Sequence, residues 1–213
     1  MTNTIDHITI GAADLDQGAA FVQAAFGVTI PRGGKHPDMA THNCVMRTGP
    51  GQFIEVIAID PEAPHPQHPR WFGLDLATRR ERLRHQPAPI GWVVSTSDLA
   101  AVRAASPVDL GPVRSMSRGA LSWQLTVPDS GLSAFDGLIP SFIQWDGDQH
   151  PSQGMQPSGL QLEKIILRHP DANGLSRCLA ALSTADLAEV EADTTASLAF
   201  VVRLPDGRLC KVD

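Results

Sequence analysis

In the opening stretch, Thr4-Ile-Asp-His-Ile-Thr-Ile-Gly, apolar and polar residues alternate with period two, and the period then changes to that of a helix. Ile5, His7 and Thr9 fall on one face of the expected strand, and Asp6, Ile8 and Ile10 on the other. Leu15, Ala19, Val22 and Phe26 follow as one apolar stripe at helical spacing. Asp14 is placed to cap that helix, Gln17 can reach back as in a capping box, and Gly27 suits the position just past its end. Val28-Thr-Ile begins a second strand, which Pro31 and the polar residues up to Asn43 interrupt as a loop. Strands are expected over 43–47 and 52–59, joined by Gly49-Pro-Gly; in the second, Phe53, Glu55 and Ile57 share a face opposite Ile54, Val56 and Ala58. Residues 1–60 therefore read as one β-α-β-β-β module.

Residues 61–89 form a connection. Its first part is broken by prolines around His65 and His68, and its second can be helical over 71–85 with Arg79, Arg80, Arg82 and Arg84 on a solvated face. The pattern of the opening then returns over 90–146. Laying Asp98-Leu99 on Asp14-Leu15 puts Gly91 under His7, and Phe142-Ile-Gln-Trp lies on Phe53-Ile-Glu-Val with Gln144 under Glu55. By alternation Trp145 then points into the core. Residues 147–213 hold a polar connection and a third, shorter module, in which Lys211 falls under Glu55. Repetition at module length is the main organising signal. The predicted fold is α+β: repeated modules forming a cupped mixed sheet, helices on its outer face.

Composition narrows the function classes. The chain has 213 residues, 42% hydrophobic and 19% charged, with a formal net charge of −6. That is a globular balance with no basic footprint for nucleic acid or an anionic membrane surface. Apolar runs are too short to cross a bilayer, and Met1-Thr-Asn-Thr lacks the features of a signal peptide, so a cytoplasmic location is expected. Cys44, Cys178 and Cys210 are widely spaced and read as reduced thiols. No nucleophile-elbow, P-loop or dinucleotide-binding fingerprint is present.

The modules, the opening Asp6-His7-Ile-Thr-Ile and the closing Phe53-Ile-Glu55-Val resemble the vicinal oxygen chelate superfamily of glyoxalases, extradiol dioxygenases and bleomycin-resistance proteins. Gly33-Gly-Lys-His36, Thr41-His-Asn43, the Phe142-Ile-Gln-Trp-Asp146 stretch and His150-Pro are more narrowly similar to its glyoxalase-like domain branch. The resemblance implies that His7 and Glu55 are ligands of a divalent metal (Fe, Mn, Ni, Co or Zn), with His36 or His42 the candidates for a third ligand. The second module departs from the pattern, since Gly91 and Gln144 stand where a histidine and a carboxylate are expected.

The residues themselves keep plainer alternatives open: His7 as a hydrogen-bonded core histidine, and Glu55 in a salt bridge at the sheet edge. A carboxylate at Glu55, between Phe53 and Ile57, nonetheless needs a partner such as His7 or a metal. His36, Thr41, His42, Asn43 and Gln144 are the candidates for binding substrate oxygens. Two functions follow as expectations. One is a metal-dependent lyase, isomerase or dioxygenase acting on a small oxygenated metabolite, with Glu55 as general base if no metal is held. The other is a metal-free protein that sequesters a small ligand. A homodimer is also expected as one way for modules to pair.

Overall fold

A computed structural model describes residues 3–213; the reading of the leader falls partly on Met1 and Thr2, which lie outside the described residues. The opening pattern forms β1 (Asn3–Gly11) and α1 (Leu15–Phe26). Asp14 accepts the Gln17 backbone N–H at 2.8 Å, and the Gln17 side chain accepts the Ala13 N–H at 2.9 Å, so the predicted reciprocal cap forms. Gly27 closes the helix at φ 71°, a left-handed conformation that glycine adopts without steric cost.

Beyond α1 the structure departs from the expectation. Val28-Thr-Ile is not a strand; β2 (Arg32–His36) lies inside the stretch read as a loop. It pairs antiparallel with β3 (Thr41–Gly49), His36 opposite Thr41. Two glycines and no apolar residue hide β2 from any hydrophobic periodicity. β4 (Gln52–Ile59) returns parallel to β1, setting Phe53 beside His7 and Glu55 beside Thr9.

The connection holds a short helical turn (Trp71–Gly73) and α2 (Ala77–His85) in place of one continuous helix. The second module follows as β5 (Ala88–Thr96), α3 (Leu99–Ala105), β6 (Val113–Arg118), β7 (Leu121–Thr126), the single turn α4 (Ala134–Gly137) and β8 (Ser141–Trp145). Again the first and last strands pair in parallel. β1 and β5 pair antiparallel at the centre, so the two modules join within one chain into an eight-stranded sheet of order β2-β3-β4-β1-β5-β8-β7-β6. The architecture is the predicted α+β cup.

The sheet separates two apolar layers. Ile8, Ile10, Val56, Trp92 and Phe142 face α1 and α3 on the outside, while Ile57, Ile90, Val93, Trp123 and Ile143 face inward with Trp71. The last part of the chain forms β9 (Gln161–His169), α5 (Ala172–Ala181), β10 (Glu189–Ala192), β11 (Ser197–Arg203) and β12 (Leu209–Val212). These keep the element order of a module but assemble as a separate sheet, β10-β9-β11-β12, with β10 parallel to β9. Leu167, Phe200 and Val202 carry that sheet into the outer apolar layer, and Phe200 lies 6.4 Å from Phe26. Lys211 consequently sits at the surface, paired with Asp213, and corresponds to nothing in the cup. No helix among the described residues is long and apolar enough to cross a membrane.

Candidate functional site

The inner face of the cup encloses a cavity of about 470 Å³, its open mouth included. Aromatic side chains from both modules and the connection wall it: Phe53, Trp71, Phe72, Trp123 and Trp145. Its polar end is built on β1 to β4. Glu55 is almost wholly buried there, and Oε1 accepts a hydrogen bond from Asn43 Nδ2 at 2.7 Å. Its other oxygen accepts from the Thr9 hydroxyl at 3.3 Å and lies 3.7 Å from His7 Nε2. Asn43 Oδ1 takes the Gly34 N–H at 2.8 Å, which fixes the amide so that its NH₂ must face Glu55. A methyl group at Gly33 would lie 2.2 Å from that same Oδ1, so only glycine leaves Asn43 its place.

Behind His7 the strand carries a β-bulge. Ile5 and His7 oppose the adjacent residues Val94 and Val93, leaving Asp6 as the extra residue. Simple alternation puts Asp6 on the helix side; in the structure its carboxylate lies fully buried beside His7. It takes His7 Nδ1 at 2.7 Å, Trp145 Nε1 at 2.8 Å and His150 Nε2 at 3.2 Å. The Ser152 backbone N–H donates to His150 Nδ1, which leaves Nε2 as the protonated nitrogen that serves Asp6. Burial opposes the charge on Asp6, but the hydrogen bonds from His150 and His7 prevail and bring its carboxyl down to about 2. An ionised Asp6 therefore orients His7 through Nδ1–H and leaves Nε2 toward Glu55. The His7 ring is further held by stacking on Phe53, centroid to centroid 4.4 Å.

His36 lines the cavity with its Nδ1 3.1 Å from the Thr41 hydroxyl and its ring edge-on to Trp71. Burial lowers its pKa to about 4 despite the attraction of Glu55, and the nearby Arg118 charge acts in the same direction as burial. A lowered histidine pKa stabilises the fold fully above the unfolded value near 6.5, and that stability is lost as pH falls toward 4. Between pH 7 and 4.5, wild type is expected to lose on the order of 2 kcal/mol more than His36→Gln, an amount tempered because part of the ring meets solvent. Urea unfolding at the two pH values measures the difference; equal losses would refute a buried neutral imidazole.

Of the residues singled out from sequence, His7, His36, Thr41, Asn43 and Glu55 converge at this end of the cup. Two corrections apply. His42 alternates with Asn43 on β3, faces the outer side, and lines a different cleft with Lys35 and Asp60. Gln144 also faces outward, where its Oε1 accepts the Leu99 N–H at 2.8 Å and helps cap α3. The overlay on Phe53-Ile-Glu-Val is one residue out of step with the structure, and a one-residue slip exchanges the faces of a strand. Trp145, read as core, is on the cup side for the same reason. Asp6, Trp71, Phe72, Arg118 and Trp123 carry no mark in the sequence as site residues, and Arg79, on a helix face expected to be solvated, is half-buried. Arg79 donates to the carbonyls of Phe72 and Ile90 and so holds Phe72 at φ 54°. No local pattern marks any of them.

Paired β-α-β-β-β modules around such a cup coincide with a match of the glyoxalase-like domain to residues 5–192. The chain belongs to the glyoxalase-like domain family. A solved hypothetical protein from Staphylococcus aureus is similar over 99% of this chain and 85% of its own, with a TM-score of 0.60 at 16% identity. A methylmalonyl-CoA epimerase from Mycobacterium tuberculosis is similar over 66% of this chain and 86% of its own, with a TM-score of 0.42 at 16% identity. At these identities the likeness concerns the fold alone. Among curated proteins none is similar enough in sequence to count as a relative.

The glyoxalase-like resemblance raised the question of a metal, and the donors here do not fit one held by three protein ligands. His7 and Glu55 face each other, but among the described residues no group of three histidine, cysteine or carboxylate side chains is placed to share an ion. The Asn43 NH₂, 2.7 Å from Glu55 and 3.5 Å from His36 Nε2, turns its positive end to the space between them. At the second-module position, Gly91 is covered by the Phe72 ring; a methyl group there would lie 2.5 Å from Phe72 Cδ1. Gly91→His is accordingly expected to destabilise the protein by about 1–3 kcal/mol through overpacking, without creating a metal site. Relief of that loss in Gly91→His/Phe72→Ala, read by thermal unfolding, is the expected check; no relief would place the strain elsewhere.

Proposed function

We propose that the cup binds a small carbonyl-bearing molecule and that Glu55 moves a proton on it without a metal. The observation that carries this reading is the buried Glu55 carboxylate, held by Asn43 at 2.7 Å in a cavity walled largely by aromatic and aliphatic side chains. A carboxylate so placed acts as a base toward a C–H beside the carbonyl. The C–H bond breaks, the proton passes to Glu55, and the electron pair moves onto the carbonyl oxygen as an enolate. Return of the proton to carbon gives an isomer or the starting molecule. His7, oriented by Asp6, presents Nε2 to the same Glu55 oxygen and can exchange the proton with it. Lyase or isomerase chemistry fits this set; dioxygenase chemistry would require a metal site of another composition.

A second reading, sequestration without chemistry, is favoured by one fact: both Glu55 oxygens already accept hydrogen bonds within the protein. Proton exchange separates the two. Incubation with methylglyoxal, hydroxyacetone and pyruvate in D₂O, followed by proton NMR, is expected to show accelerated loss of a C–H signal for at least one compound. Exchange no faster than in buffer for all three would favour sequestration. Plasma mass spectrometry after loading with Fe, Mn, Ni, Co and Zn is expected to find far less than one ion per chain. Stoichiometric metal that disappears in both His7→Ala and Glu55→Ala would overturn the metal-free reading.

A further inference from the structure

We propose that the molecule recognised by the cup is a small carboxylate with a flat apolar body, and that Arg118 pairs with its carboxylate group. The inference deepens the small-molecule reading of the cup and rests on it.

Arg118 ends β6, one edge of the eight-stranded sheet, and crosses to β2, the other edge. There it packs on Gly34: a methyl group at that position would lie 2.7 Å from Arg118 Cδ and 3.1 Å from Nη1. The guanidinium is thereby part of the cavity wall. Some cations of this protein pair with carboxylates, among them Lys35 with Asp60, Arg70 with Asp75 and Arg203 with Glu163. Arg118 has no carboxylate within 4.0 Å among the described residues. A planar fork of N–H donors left open on a concave wall is suited to an incoming carboxylate.

A second donor of the same wall lacks a partner. Trp71 lines the cavity, is 5% exposed, and buries its indole Nε1–H with no acceptor. Leaving such a group unpaired is costly, and an oxygen on a bound molecule relieves that cost. Arg118 is the lining side chain with a fixed positive charge, so an anionic group on the bound molecule is directed to it. The faces of Trp71, Phe72, Trp123 and Trp145 line the same cavity, and flat apolar groups stack best on such surfaces.

Phenylacetate and its neutral isostere phenylacetamide are suitable probes, followed through the fluorescence of the wall tryptophans. Wild type is expected to bind the acid at least tenfold more tightly than the amide. Arg118→Gln should bring the acid down to the level of the amide, and Arg118→Lys should keep part of the preference. Equal binding of acid and amide by wild type, or an acid preference that survives in Arg118→Gln, would overturn the proposal. Deuterium exchange measured in parallel separates the two ideas. An acid preference without exchange leaves the anion site standing and removes proton transfer, whereas exchange without an acid preference removes the anion site alone.

Discussion

Asp6→Ala is expected to lower the unfolding free energy by about 3–5 kcal/mol, the range for removing one partner from a buried charged network. The reason lies in what the substitution leaves behind. The His7 Nδ1–H, the Trp145 indole N–H and the His150 Nε2–H all converge on the Asp6 carboxylate, which is wholly buried. Without it, three donors from three segments of the chain lose their acceptor where water does not easily replace it. Asp6→Asn keeps an acceptor oxygen but turns an NH₂ toward donors, so an intermediate loss is expected. The effect also has a signed pH dependence. Because the folded pKa is depressed from 3.8 to about 2, the stabilisation is complete above pH 4 and disappears as pH falls through 2. Urea denaturation of wild type and both variants at pH 7 and pH 3 measures it. A loss below 1 kcal/mol for Asp6→Ala at pH 7 would mean that the network is not a structural tie.

Glu55→Gln is expected to reduce proton exchange about 10²–10³-fold on any compound that wild type turns over, within the usual contribution of a positioned base. The substitution preserves volume and one oxygen acceptor. If that oxygen turns to Asn43, the amide nitrogen faces Thr9 and His7, so the fold has little reason to fail. What is lost is the ability to take a proton. His7→Gln is expected to do less, roughly tenfold, because His7 exchanges the proton with Glu55 and does not hold the first position. The comparison is made on initial exchange rates at saturating and limiting concentrations. Loss in the rate at saturation with little change in the concentration for half-maximal rate marks a base; the reverse pattern would make Glu55 a binding residue only.

The legible and illegible parts of this protein divide along a physical line. Short-range rules wrote themselves into the sequence: Asp14 and Gln17 announce the cap of α1, and the alternation in Phe53-Ile-Glu-Val-Ile announces β4 with Glu55 on the cup face. Repetition of that unit pointed to paired modules, and the resemblance built on it led to the right family. β2 escaped because Gly33 and Gly34 have no side chains with which to show a period, and their reason for being glycine lies in Asn43 and Arg118, residues distant in the chain.

From sequence alone, then, come the helix caps, the central strands, the modular α+β plan, and His7 and Glu55 as neighbours on one inner face. Tertiary structure alone decides which way Asp6 and Gln144 point, since a bulge and a one-residue register shift reverse faces that alternation would assign. It alone brings Arg118 from one sheet edge to the other and seats Phe72 over Gly91. Local patterns record the forces between residues a few positions apart, whereas the wall of this cup is made by side chains that meet only after the sheet has curled.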